Sequence, residues 1–171
     1  MRSRIPARSS AASLFFAPCV LVAAVIAPLV VPSGVANTDQ AKASEPWTAA
    51  QIVQPADLAR ELTDKVGTPP TILYVGFRSL FPGGHVPGAV YHGTASTEEG
   101  LAELKKWADS LPRSANLVIY CGCCPLEKCP NIRPAFTALD GMGFKNLRVL
   151  ILPISFAADW AGKGFPIVKG M

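Results

Sequence analysis

The sequence predicts an α/β domain in which a parallel β-sheet is covered by helices on both faces. Segments with apolar residues at helical spacing alternate along the chain with short apolar runs bounded by turn residues, as expected of strands joined by crossover helices. Half of the residues are hydrophobic and only 16% are charged, which excludes a chain that is disordered throughout. Four cysteines follow the most strand-like run, so we expect the functional site at that end of the sheet.

The predicted elements follow one another in a regular order. Pro55 opens the first helix and Gly67 ends it, while Ser96 and Glu99 have the spacing of a capping box before the second. Helices are expected at residues 56–66, from Ser96 to about 111, at 131–142 and at 156–160; strands are expected at 71–75, 89–91, 117–120 and 147–152.

The first 36 residues have the composition of a secretory leader. Three arginines, Arg2, Arg4 and Arg8, precede an apolar segment at 11–31, and small residues follow it up to Ala36. We predict a signal peptide at 1–36, a linker at 37–46 and the folded domain at 47–171, in an exported protein that is periplasmic or secreted.

An uncleaved N-terminal membrane anchor is the alternative for the same segment. The apolar residues are numerous enough to span a bilayer, which needs about 20. Pro18 and Pro28 disfavour a long stable helix there, so cleavage is the preferred interpretation.

The charge distribution of the sequence indicates which classes of partner the domain can bind. The formal net charge is +4, and the three leader arginines carry most of it, which leaves a nearly neutral domain without a basic stripe. This argues against a nucleic-acid-binding or anionic-lipid-binding surface. We expect a monomer without a bound cofactor, which contacts a membrane only if residues 1–36 are retained.

The cysteine cluster is the strongest functional signal. Cys121, Cys123, Cys124 and Cys129 lie between the predicted strand at 117–120 and the helix that begins near 131. The dipole at that helix N-terminus, together with Arg133 in its first turn, would favour a thiolate. The segment therefore predicts an anionic sulfur nucleophile.

Three motifs resemble those of the rhodanese family. Residues 84–89, Gly-His-Val-Pro-Gly-Ala, resemble its GHxPGA signature; residues 117–144 resemble its strand, active-site cysteine loop and helix; residues 159–166 are similar to its closing pattern. The resemblance covers about 47–168. It implies a three-layer domain with a five-stranded, mostly parallel sheet. It also implies a sulfurtransferase that moves sulfane sulfur from a thiosulfate-like donor to a thiol or cyanide-like acceptor through a cysteine persulfide.

The sequence departs from the family pattern in three places, one of which is Pro153-Ile154, where the family has Gly-Gly before the closing helix. Tyr74 and Gly76 stand where Asp and Arg are common, with Arg78 close by. Eleven residues separate Cys121 from Arg133, where the family usually has about five. The long loop argues against the phosphatase relatives and leaves the choice of substrate open.

The resemblance implies specific roles for individual residues. Strand register favours Cys121 as the nucleophile, with Cys124 and Cys129 as alternatives, and Arg133 as its catalytic partner. His85 is expected to be structural. The residues expected to contact substrate are Gly122, Cys123, Lys128 and Arg78.

Two alternative hypotheses for the same thiols do not involve sulfur transfer. The cluster could form disulfides and act as a thiol redox module, as exported proteins permit. Alternatively, thiolates could hold zinc or copper(I). In that case the ligands would be Cys121, Cys123, Cys124 and Cys129.

Overall fold

The computed structural model describes residues 44–64 and 68–171. The predictions for the leader, for most of the linker and for Val66 at the end of the first helix lie outside these residues. Within the two described ranges, no helix is both long and apolar enough to cross a membrane.

Strands and helices alternate along the described chain, which confirms the predicted order. The strands are β1 (Ile52–Val53), β2 (Thr71–Tyr74), β3 (Ala89–Tyr91), β4 (Asn116–Tyr120) and β5 (Asn146–Leu150). The helices are α1 (Pro55–Asp64), α2 (Glu98–Ala108), α3 (Ile132–Gly141) and α4 (Phe156–Asp159). Short 3-10 turns occupy 49–51, 78–83, 126–128 and 161–163.

The five strands form one sheet in the order β1-β5-β4-β2-β3, and every pair is parallel. Strand β4 lies at the centre, where Tyr120 pairs with Tyr74 of β2 and Ile119 pairs with Val149 of β5. A loop that leaves β4 therefore emerges in the middle of the carboxyl edge, between the ends of two neighbouring strands. This is where open parallel sheets place their binding sites.

Each face of the sheet has its own apolar core, because successive side chains of a strand point to opposite faces. On one face, Leu73 of β2 packs with residues of α2 and α3; on the other, Ile72 packs with residues of α1 and with Trp160. Cys121 and Cys129 belong to the first of these cores. The result is the predicted three-layer α/β domain.

Helix α2 begins one residue later than the predicted capping box. The Thr97 side chain accepts a hydrogen bond from the Gly100 N–H at 3.0 Å, while the Ser96 N–H donates to the Asn131 side chain at 2.9 Å. Ser96 is therefore not the cap, because its backbone is used in a contact with a segment distant in sequence. Strand β1 was not predicted, since a strand of two residues has no periodicity to detect.

The Gly-His-Val-Pro-Gly-Ala segment connects the chain terminus to the centre of the sheet. His85 exchanges two backbone hydrogen bonds with Val168, and its ring lies within hydrogen-bond distance of the Phe81 carbonyl and stacks on the Phe81 ring. The adjacent Val86 N–H donates to the Tyr120 hydroxyl at 3.1 Å. All of these His85 contacts are internal to the fold.

Candidate active site: a thiol cluster at the end of β4

Cys121 directly follows β4 and is almost fully buried at 4% exposure. Its Sγ lies 3.0 Å from that of Cys123, which in turn lies 3.4 Å from that of Cys124. The sulfur atoms of Cys121, Cys123 and Cys129 all lie within 4.8 Å of one another. No disulfide joins these thiols. The loop thus folds back on itself and brings Cys129 next to the strand end.

Cys129 is the thiol best suited to be a thiolate. Hydrogen bonding from the Cys121 thiol is the largest cause that lowers the pKa of Cys129 from 9.0 to about 6. The backbone N–H groups of Asn131 and Ile132, at the start of α3, add to this effect, while burial opposes it. A sulfur that accepts several hydrogen bonds at a helix N-terminus is stabilised in its charged form.

Cys121 and Cys124 are shifted in the opposite direction. The hydrogen bond to Cys129 holds the proton on Cys121 and, together with burial, raises its pKa above the ordinary value. Burial, helped by hydrogen bonding with Cys123, raises the pKa of Cys124 to about 12. The resting cluster therefore has a protonated Cys121 next to the Cys129 sulfur.

Asn131 is a site residue that sequence reasoning did not identify. Its side chain is fully buried and donates from Nδ2 toward the sulfurs of Cys121 at 3.6 Å and Cys123 at 3.8 Å. Its Oδ1 accepts the Ser96 N–H, which fixes the orientation of the carboxamide. A polar residue at the first position of the predicted 131–142 helix was the only signal available.

Arg133 supports the loop from the outside. Its guanidinium donates to the carbonyls of Leu126 and Cys129 and pairs with Glu45 at 2.6 Å. It also lies over the Trp47 ring, 5.8 Å from the centroid. The described contacts of Arg133 are therefore with the backbone of the loop and with the residues that precede β1.

A pocket of about 360 Å³ opens beside the cluster. Cys121, Gly122 and Cys123 form part of its wall, and Cys129 does not. The other lining residues come from the loop after β2, from the α4 region and from the chain terminus: Tyr74, Leu80, Gly83, Gly84, Ser155, Phe156, Ala157, Ala161 and Ile167. Cys121 is thus the strand-end thiol that faces the pocket.

Two residues expected to contact substrate lie elsewhere. Arg78 is exposed and stacks over the Tyr91 ring at 5.6 Å, and Lys128 is exposed in the turn at 126–128. Neither lines the pocket. The structure brings Gly122 and Cys123 to the predicted site and leaves Arg78 and Lys128 outside it.

Gly122 is required by the close packing of the loop against α4. Its φ is +71°, and a Cβ at this position would lie 2.7 Å from Cβ of Phe156 and 3.0 Å from Cδ1 of Leu152. The Gly122 carbonyl also accepts the Phe156 N–H at 2.9 Å. A side chain here would be strained and would push the loop away from Phe156 and Leu152.

Tyr74 contributes a neutral phenol to the pocket. It ends β2 beside Tyr120 of β4, and its hydroxyl donates to the Phe77 carbonyl at 3.4 Å. Burial, reinforced by the nearby thiols, raises its pKa above the ordinary value, so the hydroxyl stays protonated. Tyr74 therefore brings no charge to the wall that Cys121 shares.

The cluster also has the donor set of a soft-metal site. Three sulfurs within 4.8 Å of one another could surround a copper(I) ion, which accepts thiolate ligands at low coordination number. The close group does not include the Cys124 sulfur, whereas a structural zinc site needs four ligands. The arrangement of the sulfurs therefore fits copper(I) better than zinc.

These features define a parallel α/β domain with a thiol cluster at the central strand end. Neither a family model nor a curated protein matches the chain. Solved structures do match. The solution NMR structure of the rhodanese-like domain of the Alr3790 protein from Anabaena sp. matches with a TM-score of 0.53 at 22% identity, over 70% of this chain and 79% of that one.

Two crystal structures give similar values. For the Alr3790 protein from Anabaena sp. the TM-score is 0.52 at 22% identity, over 70% of this chain and 93% of that one. For the BH2092 protein from Bacillus halodurans it is 0.51 at 15% identity, over 68% and 75%. The chain is a rhodanese-like domain in its fold, as the motifs implied.

Proposed function

We propose that the domain is a sulfurtransferase that carries sulfane sulfur as a persulfide on Cys121. The observation that carries the proposal is that this thiol lies both at the end of the central strand and in the wall of the pocket. A rigid strand end fixes a nucleophile, and the pocket gives a donor access to it.

The reaction divides into two displacements. The Cys121 thiolate attacks the outer sulfur of the donor, a bond forms between the two sulfurs, and the leaving group departs with the electron pair of the broken bond. A thiol or cyanide-like acceptor then attacks the same outer sulfur, and Cys121 leaves as a thiolate. No external oxidant or reductant is consumed.

Cys129 is the proposed proton acceptor for the first displacement. Its sulfur lies within 4.8 Å of the Cys121 sulfur, hydrogen bonding between the two thiols is the largest cause of both pKa shifts, and two backbone N–H groups of α3 stabilise charge on Cys129. Transfer of the proton along this hydrogen bond leaves the thiolate on the sulfur that faces the pocket. Asn131 donates to that sulfur and would stabilise it as the charge moves.

The test is mass spectrometry of the reduced protein after incubation with a sulfane-sulfur donor. Thiosulfate, inorganic polysulfide and an organic hydropersulfide should be tried separately. We expect about 32 Da on the peptide that contains Cys121 with at least one donor, and release of the label by cyanide. Cys121→Ser should lose the label completely, whereas Cys124→Ser, which alters a thiol outside the pocket wall, should keep it. Full loading of Cys121→Ser would contradict the proposal.

Copper(I) binding is a second candidate, favoured by the three clustered sulfurs. Reduced protein should then take up one Cu(I) in competition with a Cu(I) chelator. Cys123→Ser removes one of the three sulfurs without touching the strand-end thiol, so it should weaken copper binding while Cys121 still accepts sulfur. Equal copper affinity in the wild type and in Cys123→Ser would exclude this site.

A further inference from the structure

We infer that the sulfur donor carries an uncharged, apolar organic group, as an aryl or alkyl hydropersulfide does, in place of a charged oxyanion group such as the one that thiosulfate carries. This inference rests on the proposed function and specifies its substrate class. The chemistry of the pocket wall carries it.

The described lining of the pocket contains no Lys, Arg, His, Asp or Glu side chain. Its ionisable members are Tyr74 and the two thiols, Cys121 and Cys123. The remaining wall consists of aliphatic side chains, glycines, Phe156 and Ser155. The Ser155 hydroxyl caps α4 by accepting the Ala158 N–H. An anion that enters this pocket loses hydration and gains no cationic partner.

The three cations that the sequence assigned to the site lie outside the pocket lining. Arg133 is paired with Glu45 and with loop carbonyls, and Arg78 stacks on Tyr91. Lys128 lies in an exposed turn outside the lining. A sulfur oxyanion would therefore meet apolar groups in the place where a dianion needs positive charge.

The rim of the pocket is apolar as well. Leu80 and Ile167 line it and remain 49% and 42% exposed. Large apolar side chains exposed around a pocket gain free energy when an apolar ligand covers them. The volume of about 360 Å³ is within the range of small-molecule pockets, so it accommodates a phenyl or short alkyl group.

Sulfur transfer from this donor to Cys121 forms one S–S bond and breaks another. The Cys121 thiolate attacks the terminal sulfur of R–S–SH, the bond from Cys121 to that sulfur forms, and the S–S bond of the donor breaks. The products are the Cys121 persulfide and the thiolate of R–SH, which takes the electron pair. The organic group R stays in the apolar pocket until the thiolate leaves.

A matched pair of donors tests the inference. Benzyl hydropersulfide and its para-carboxylate analogue present the same reacting –S–SH end and differ in the charge of the organic group. With the full chain we expect the half-saturating concentration for Cys121 loading to be at least tenfold lower for the benzyl donor. Thiosulfate should load more slowly than either. Equal half-saturating concentrations for the pair, or faster loading by thiosulfate, would overturn the inference.

A charge introduced into the wall gives a second readout. Ala157 lines the pocket and is exposed, so Ala157→Lys places a cation there with little effect on the core. This variant should shift the preference toward the carboxylated donor, whereas Ala157→Gln, which adds length without charge, should keep the benzyl donor preferred. An unchanged preference in Ala157→Lys would count against the inference. If no donor loads Cys121 in any variant, the sulfurtransferase proposal itself fails, which is a different outcome.

Discussion

The pKa values of the thiols at the two ends of the cysteine loop are shifted in opposite directions. The pKa of Cys121, at the end of β4, is raised, because its thiol donates a hydrogen bond. The pKa of Cys129, just before α3, is lowered to about 6, because its sulfur accepts hydrogen bonds. Both are buried, so burial alone does not explain the difference. The largest cause of the difference is the hydrogen bond between the two thiols, which raises the pKa of Cys121 and lowers that of Cys129, and the backbone N–H groups of Asn131 and Ile132 at the start of α3 add to the effect on Cys129. The loop thereby places the proposed nucleophile next to its proposed proton acceptor.

The largest expected effect comes from removing that acceptor. In Cys129→Ser the rate of persulfide formation on Cys121 should fall by about 100-fold at neutral pH, since general-base assistance is typically worth this much or more. The label should still appear on Cys121. Time-resolved mass spectrometry with a hydropersulfide donor measures both. If the label moves, or if Cys129→Ser keeps the wild-type rate, the two thiols do not divide the roles as proposed.

The second-largest effect is expected from substitution of Gly122, which allows the loop to pack closely against α4. Gly122→Ala should lower the free energy of unfolding by about 2 kcal/mol, because the residue has a positive φ and a Cβ would contact Phe156. Urea denaturation of the reduced protein measures this. Gly143→Ala is the control, since Gly143 also has a positive φ, +86°, and a Cβ there meets nothing within 4 Å. Equal losses for both variants would show that the close contact is not the cause.

The pKa of Cys129 predicts how stability depends on pH. Since its pKa is lowered from 9.0 to about 6, its contribution to stability is complete above pH 9 and is lost as the pH falls toward 6. Cys121 and Cys124 have raised pKa values, so their contributions persist up to about pH 9 and decline only above it. The pKa of His92 is lowered, so His92 changes the stability only below pH 6.5, its ordinary pKa.

Among the described groups whose pKa is shifted, Cys129 alone contributes a slope between pH 6.5 and 9. The free energy of unfolding should rise with pH by at most about 1.4 kcal/mol per unit in reducing buffer. Cys129→Ser should flatten this part of the curve, while Cys124→Ser should not. A flat wild-type profile would mean that Cys129 is not the stabilised thiolate and would remove the contrast between the two ends of the loop.

The sequence predicted the position of Cys121 because that position depends on local pattern. An apolar strand, a cysteine and a helix start within a few residues define the carboxyl edge of a parallel sheet without any long-range information. The same reasoning predicted the alternation of elements and both core faces. Strand β1 was not predicted, because its two residues, Ile52 and Val53, are too few to show an alternating pattern.

The hydrogen bonding of the thiols could not be predicted in this way. It depends on the path of an eleven-residue loop and on Asn131, whose carboxamide is oriented by Ser96, 35 residues away. The positions of the Arg78 and Lys128 side chains relative to the pocket could not be predicted from the sequence either. Arg78 and Lys128 lie near the site along the chain, but their side chains lie outside the pocket wall.

The smallest expected effect concerns Asn131 and tests whether the strand-end thiol is prepared for charge. Asn131→Ala removes the donor to the Cys121 sulfur and leaves the Ser96 N–H without its partner, which should cost about 1 kcal/mol in the free energy of unfolding. Asn131→Asp keeps an acceptor for Ser96 but turns a negative oxygen toward the sulfurs. It should therefore retain more stability than Asn131→Ala while it slows persulfide formation further.

The comparison of the two variants separates positioning from packing. If Asn131 only holds α3 against the turn before α2, persulfide rates should follow stability, and Asn131→Asp should be the faster of the two. If its amide stabilises the Cys121 thiolate, the order of rates is reversed, and the loading rate of Asn131→Asp should also need a higher pH to reach half of its maximum. Loading rates across a pH series, with urea denaturation of the same samples, decide between these roles. Equal pH profiles in both variants and the wild type would assign Asn131 to packing alone.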